Sequence, residues 1–141
     1  MSRFGDTSGL LAFLDSADPN HPEAVRLWQT ARGRRESIVT TNYVVVETVA
    51  LLHHRFGVRA VRLFCDEVLP AMSVEWISPG IHQVALAALL ASSRRGAGLV
   101  DLTSFEVMRR IGLTEAIAFD RHFADRGFTA TPADPHLPED Q

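Results

Sequence analysis

Four carboxylates stand out by the company they keep: Asp6, Glu47, Asp101 and Asp120, separated by 41, 54 and 19 positions. Each has apolar neighbours, as in Phe4-Gly5-Asp6 and Ala118-Phe119-Asp120, and each falls where a strand-like segment ends or a helix-like segment exposes one face. A carboxylate buried without a partner is costly, so acids in such surroundings imply a cation that draws them together. An all-oxygen ligand set suits a hard divalent ion, Mg²⁺ or Mn²⁺, and those ions mostly serve phosphate chemistry. Any one of these acids alone reads as a helix cap or a solvated charge; the four in their local contexts read as a site.

Other chemistries find less support. There is no spaced His and Cys cluster for zinc and no Gly-rich loop with Lys to cradle a nucleotide. A phosphoacceptor or phosphatase domain would use a strand-end Asp as nucleophile and a Lys to steady the phosphate, but every basic residue here is Arg. The single Cys65 lies in the apolar stretch Val61-Arg62-Leu63-Phe64-Cys65 and reads as a small buried hydrophobe without a catalytic role. His53 and His54 follow Glu47 by one to two helical turns and read as partly exposed helix residues, whereas His122, beside Asp120, is the one His placed to matter.

Alternating strands and helices must position these acids. Arg3 to Asp6 reads as a first strand, and Thr7 or Ser8 supplies a hydroxyl cap for a helix over Gly9 to Leu14. Asn20, with Glu23 three residues on, caps a helix whose Ala24, Leu27, Trp28 and Ala31 share one face. Ser37 to Thr41 is a second strand and Asn42 to His54 a helix with Tyr43, Glu47 and Ala50 on one stripe. Val58 to Leu69 reads as an amphipathic helix stopped by Pro70, Ser73 to Ile77 as a third strand in which Val74 and Trp76 alternate with Glu75 and Ile77, and Ile81 to Ser93 as a further helix. Asp101 then sits near the start of a helix that Gly112 stops. Glu115 to Phe119 is a fourth strand carrying Asp120 at its end, followed by a short helical turn and a last strand, Phe128 to Thr131. This order predicts a parallel sheet between helices, with ligands beyond the carboxyl ends of the strands.

With 141 residues, 46% of them hydrophobic and 22% charged, the chain has the makings of one globular domain with a real core. Residues 1–133 are expected to form that domain and 134–141 a flexible acidic tail, marked by Pro132, Pro135 and Pro138. No apolar run approaches the roughly 20 residues that span a bilayer, and the N-terminus has no charged and then apolar leader, so a cytoplasmic location is expected. The net charge of −3 speaks against nucleic acid, yet the tail holds three of the 17 acids and none of the 14 Arg, leaving the body balanced. Neutralising the four site acids with metal would leave an excess of positive charge that attracts phosphates. The all-Arg complement suits planar contacts to phosphate and equally follows from a GC-rich genome. Arg32, Arg34, Arg35, Arg94 and Arg95 lie in loops, where they face RNA or simply add solubilising charge.

In these segments the chain resembles the PIN-domain family and, within it, the VapC-type toxins of bacterial toxin–antitoxin pairs. The resemblance rests on Asp6-Thr7-Ser8, Thr41-Asn42-Tyr43-Val44-Val45-Val46-Glu47-Thr48, Val100-Asp101-Leu102-Thr103-Ser104-Phe105 and Ala118-Phe119-Asp120-Arg121-His122-Phe123, in this order over nearly the whole chain. It implies a three-layer α/β/α sandwich around a central parallel sheet and a Mg²⁺- or Mn²⁺-dependent endoribonuclease acting on structured RNA such as transfer RNA. The family's acidic quartet falls on Asp6, Glu47, Asp101 and Asp120, and its hydroxyl or amide neighbours on Ser8, Asn42, Thr103 and Ser104. Asp6 and Asp101 are the first choice for direct ligands; Glu47 acts through water or as the base, and Asp120 holds a second ion or orients the water. Gly5 and Gly9 depart from the family pattern, which favours a branched residue before Asp6 and a larger small residue in place of Gly9. A toxin of this type implies a small antitoxin that wraps the domain and blocks the crevice, and homodimers through helices, for which the surface around Leu63, Phe64 and Val68 is a candidate. The remaining alternative is a catalytically idle RNA- or protein-binding module on the same fold.

Overall fold

The computed structural model describes residues 2–92 and 96–130. The expected acidic tail, the last residue of the final strand and the loop residues Arg94 and Arg95 lie outside them. Five strands form one sheet: β1 (Ser2–Gly5), β2 (Ser37–Thr41), β3 (Met72–Glu75), β4 (Glu115–Ile117) and β5 (Thr129–Ala130). They lie in the order β3-β2-β1-β4-β5 and every pairing is parallel. The chain thus builds outward on one side of β1 and then returns to build on the other. The crevice of such a sheet lies at that reversal, between β1 and β4 and beyond their carboxyl ends, where Asp6 and Asp120 follow their strands.

Among the described residues, seven α-helices cover the sheet: α1 (Thr7–Leu14), α2 (His21–Gly33), α3 (Asn42–Phe56), α4 (Val58–Leu63), α5 (Pro79–Ala91), α6 (Leu99–Ile111) and α7 (His122–Asp125). Alternation along β4 shows the two covered faces. Ala116 and Ala118 join a core with Phe4, Leu10, Val44, Leu52, Phe105 and Phe123, whereas Ile117 points the other way to Ile38 and to Leu27 and Ala31 of α2. The architecture is the expected α/β/α sandwich. Trp28 completes the α2 face by stacking on Phe13 of α1, with ring centroids 5.1 Å apart.

Several local expectations are corrected. The cap of α1 is neither Thr7 nor Ser8 but Asp6, whose side chain accepts from the Ser8 backbone N–H. Asn20 makes no side-chain cap; Glu23 instead pairs with Arg26. The amphipathic segment from Val58 is not one α-helix: after α4 it passes into a π-helical turn, Phe64–Val68, where the Leu69 N–H donates to the Phe64 carbonyl, and then into a 3₁₀ turn. This widened turn buries Phe64 and Val68 in the core and leaves Leu63 and Cys65 outside, so Cys65 is exposed and only Leu63 of the candidate apolar surface is free. β3 ends at Glu75, and Trp76 is not a paired strand residue but lies 78% exposed in the loop to α5.

The edge of the sheet opposite the crevice is fastened by charge. Arg3, buried in β1, meets Glu36 at 3.1 Å and Glu115 at 3.3 Å, joining the first strand to the starts of β2 and β4. Removing one member of a buried pair strands the other charge. At the crevice edge the fastening is steric. A Cβ on Gly9 would lie 2.3 Å from the Ile117 carbonyl oxygen, so α1 can approach β4 only with glycine there. Gly5 is tight in the same way, a Cβ meeting the Ile38 side chain at 3.1 Å. Both glycines that depart from the family pattern therefore have packing reasons. Gly9→Ala should destabilise the protein by about 1–3 kcal/mol or more, the cost of overpacking, measured as a lowered urea midpoint; an unchanged midpoint would contradict the close approach.

Candidate active site

Asp6 turns the chain from β1 into α1. Capping uses only one of its oxygens: Oδ2 accepts from the Ser8 backbone N–H at 3.2 Å and from the Ser8 hydroxyl at 2.7 Å. The other oxygen, Oδ1, is buried with no hydrogen-bond partner among the described residues, and the residue as a whole is 2% exposed. Ser8 Oγ also accepts from the Phe119 N–H at 3.0 Å. One hydroxyl therefore ties Asp6 to the segment that carries Asp120.

Asp101 lies in the first turn of α6, where a helix N-terminus favours negative charge. Asp120 follows β4 and accepts from the His122 N–H at 3.0 Å through Oδ1. One carboxylate oxygen from each of Asp6, Asp101 and Asp120 lies within 4.8 Å of the others. Glu47, from α3, is not part of that group but lines the same cleft. The cleft, of about 470 Å³, is completed by Thr7, Ser8, Leu11, Leu51, Gly98, Leu99, Val100 and His122. Thr48, next to Glu47, donates to Thr7 Oγ1 at 3.4 Å and so links α3 to α1 beneath the site.

Crowding acids in a dry crevice disfavours their charged forms. Burial, which Ser8 partly offsets and the neighbouring Asp101 and Asp120 reinforce, pushes the Asp6 carboxyl up to about 7. Asp101 is pushed up to about 6, chiefly by burial and then by Asp120, with His122 and the Gly98 backbone acting against and Glu47 adding to the rise. The donor set is all oxygen, anionic and incompletely satisfied within the chain, which fits a hard divalent cation.

The structure sorts the expected neighbours. Ser8 is in the cleft and bonded to Asp6. Asn42 is not; its Oδ1 accepts from the Ile77 N–H at 2.8 Å and holds the loop after β3. Thr103 and Ser104 turn their hydroxyls back to the carbonyls of Leu99 and Val100, at 2.7 and 3.0 Å, within their own helix. Residues missed from the sequence include the apolar walls Leu11 and Leu51. Leu51 was within reach, since it follows Glu47 by one helical turn; Ala50, expected on that stripe, is exposed.

No family model matches the chain. Two curated relatives do, both named 23S rRNA-specific endonuclease VapC20, from the CDC 1551 / Oshkosh and H37Rv strains of Mycobacterium tuberculosis. Each is 35% identical over 126 residues, which cover 89% of this chain and 94% of the relative. The chain belongs to the VapC toxins of the PIN-domain family. A crystal structure of M. tuberculosis VapC20, described as a toxin that cleaves the sarcin–ricin loop, superposes with a TM-score of 0.80 at 33% identity, over 92% of this chain and 97% of that one. Its membership makes this VapC-type protein an RNA-cleaving hydrolase and a toxin with an antitoxin partner. Among the described residues no helix is long and apolar enough to cross a membrane.

The raised carboxyl pKa values have a definite sign. Asp6 holds its proton up to about pH 7 in the folded protein but only to its ordinary value of 3.8 when unfolded, so metal-free stability is lost as pH rises between those values. Asn caps a helix as well as Asp and cannot ionise. In EDTA, the melting temperature of Asp6→Asn should therefore climb relative to that of the wild type between pH 5 and pH 8. Parallel curves for the two proteins would contradict the assignment.

Proposed function

We propose that this toxin hydrolyses RNA phosphodiester bonds using a Mg²⁺ or Mn²⁺ ion held by Asp6, Asp101 and Asp120, and that its target is the sarcin–ricin loop of 23S rRNA. One observation carries the metal reading: carboxylate oxygens of Asp6, Asp101 and Asp120 converge within 4.8 Å, and Oδ1 of Asp6 is buried with no hydrogen-bond partner among the described residues. Such an ion supplies an activated water and offsets charge on the phosphate. The target is the one for which the relatives are named.

The chain's own residues set the conditions for that chemistry. Ser8 occupies one oxygen of Asp6 and leaves the other for the ion. The Asp6 and Asp101 carboxyls are partly protonated near neutral pH without metal, so protons and the cation compete for them and the affinity for metal rises with pH. Glu47, on the α3 wall, takes the proton of the attacking water, and Asp120 orients that water or shares the ion. Leu11 and Leu51 limit the solvent that reaches the site. We place the toxin in the cytoplasm, with its antitoxin covering the cleft, and assign homodimer contacts to the exposed apolar residues Phe56, Val58 and Leu63 of α3 and α4.

The test incubates the protein with 23S rRNA and with transfer RNA in Mg²⁺, in Mn²⁺ or in EDTA. Cuts with 5′-phosphate and 3′-hydroxyl ends should form in 23S rRNA only when metal is present. Changes in the outer shell of metal sites already cost about 10–100-fold, so Asp101→Ala should lose more than about 100-fold in rate. Cleavage that survives EDTA contradicts the metal reading, and cleavage of transfer RNA alone contradicts the target.

A further inference from the structure

A second cleft, of about 270 Å³, shares His122 with the carboxylate cleft as a common wall. Arg126, Asp125, Ser92 and Gly96 are among its other lining residues. Arg126 follows α7, and its guanidinium carbon lies 5.5 Å from the centroid of the Phe105 ring. Phe105 is itself fixed, fully buried and packed against Phe123 and Phe128 at centroid distances of 4.9 and 5.6 Å. A long cationic side chain that would otherwise wander is thus held over an aromatic face. It is engaged in no ion pair among the described residues, so its donors remain available.

We propose that this second cleft carries the RNA strand on one side of the scissile bond, and that Arg126 is a phosphate contact positioning that strand. The inference rests on RNA hydrolysis at the neighbouring carboxylate cleft. A nuclease site lined by acids repels the polyanion it must cut, and binding has to come from cations beyond the acidic centre. His122 lines both clefts, so the second cleft is the immediate neighbour of the carboxylates and lies within reach of a strand whose phosphate sits at them. The planar guanidinium is suited to bidentate phosphate contact, and Phe105 fixes where it waits. Asp125 weakens the local positive field, but Arg126 alone among the described residues is a cation held over an aromatic ring.

Binding is measured without turnover, in EDTA, by fluorescence anisotropy with a labelled RNA hairpin reproducing the sarcin–ricin loop, across a series of salt concentrations. Losing one phosphate contact makes the slope of log affinity against log salt shallower by about 0.7–0.9. Arg126→Gln should show that change together with about tenfold weaker binding at low salt, and Arg126→Lys should recover the slope while recovering affinity only in part. Arg126→Gln with wild-type affinity and slope overturns the proposal, as does a slope that Arg126→Lys fails to restore. Arg126→Gln melting close to the wild type separates these results from misfolding, and should it not fold, the Lys variant still reports on the planar contact through its affinity. A wild-type protein that binds the hairpin in EDTA but does not cut it when Mg²⁺ or Mn²⁺ is supplied would sink the hydrolytic reading and leave the slope test of Arg126 standing.

Discussion

Burying carboxylates and crowding them within a few ångströms works against folding, and the crevice is built around that penalty. Asp6, Asp101 and Asp120 bring carboxylate oxygens within 4.8 Å of one another, and burial first, with the neighbouring acids adding to it, pushes the Asp6 and Asp101 carboxyls up. Without a cation the fold meets the cost by protonation. The proposed cation would relieve the same cost by binding, which is why the cluster fits a metal site.

The rest of the structure supplies the rigidity that keeps the acids from relaxing apart. The reversal of strand order at β1 opens a crevice between β1 and β4, and Ser8 bridges it by bonding both Asp6 and Phe119. Gly9 lets α1 lie against the end of β4. At the opposite edge, the buried Arg3 with Glu36 and Glu115 fixes the same strands where no ligand is needed. Opposite charges anchor one end of the sheet and like charges define the other.

Much of this was legible in the sequence, for identifiable reasons. Strand-end acids after short apolar runs announce themselves, which marks Asp6 and Asp120; Glu47 and Asp101 stand out by their apolar surroundings on helices, and the alternation of elements implies the sandwich. Finer detail depended on facts that residue types do not encode. Which face of the segment after α4 is covered depends on what packs against it: Phe64 and Val68 are buried in the π turn, whereas Leu63 and Cys65 are exposed. Thr103 and Ser104 looked like neighbours of Asp101, but a hydroxyl inside a helix can satisfy itself on the carbonyl four residues back, and both do so. Asn42 similarly serves a neighbouring loop. For Asp6 the sequence sets a cap and a ligand against each other, whereas its two oxygens divide: Oδ2 caps α1 and Oδ1 has no hydrogen-bond partner among the described residues.

The central claim is that a single cation sits among Asp6, Asp101 and Asp120. Crystals of the protein grown with Mn²⁺ and measured for anomalous scattering test it directly. The account predicts one strong anomalous peak at coordination distance from Oδ1 of Asp6 and from the carboxylates of Asp101 and Asp120, absent from crystals of Asp101→Ala. A crevice with no such peak at saturating Mn²⁺, or an ion bound elsewhere in the protein, would contradict it.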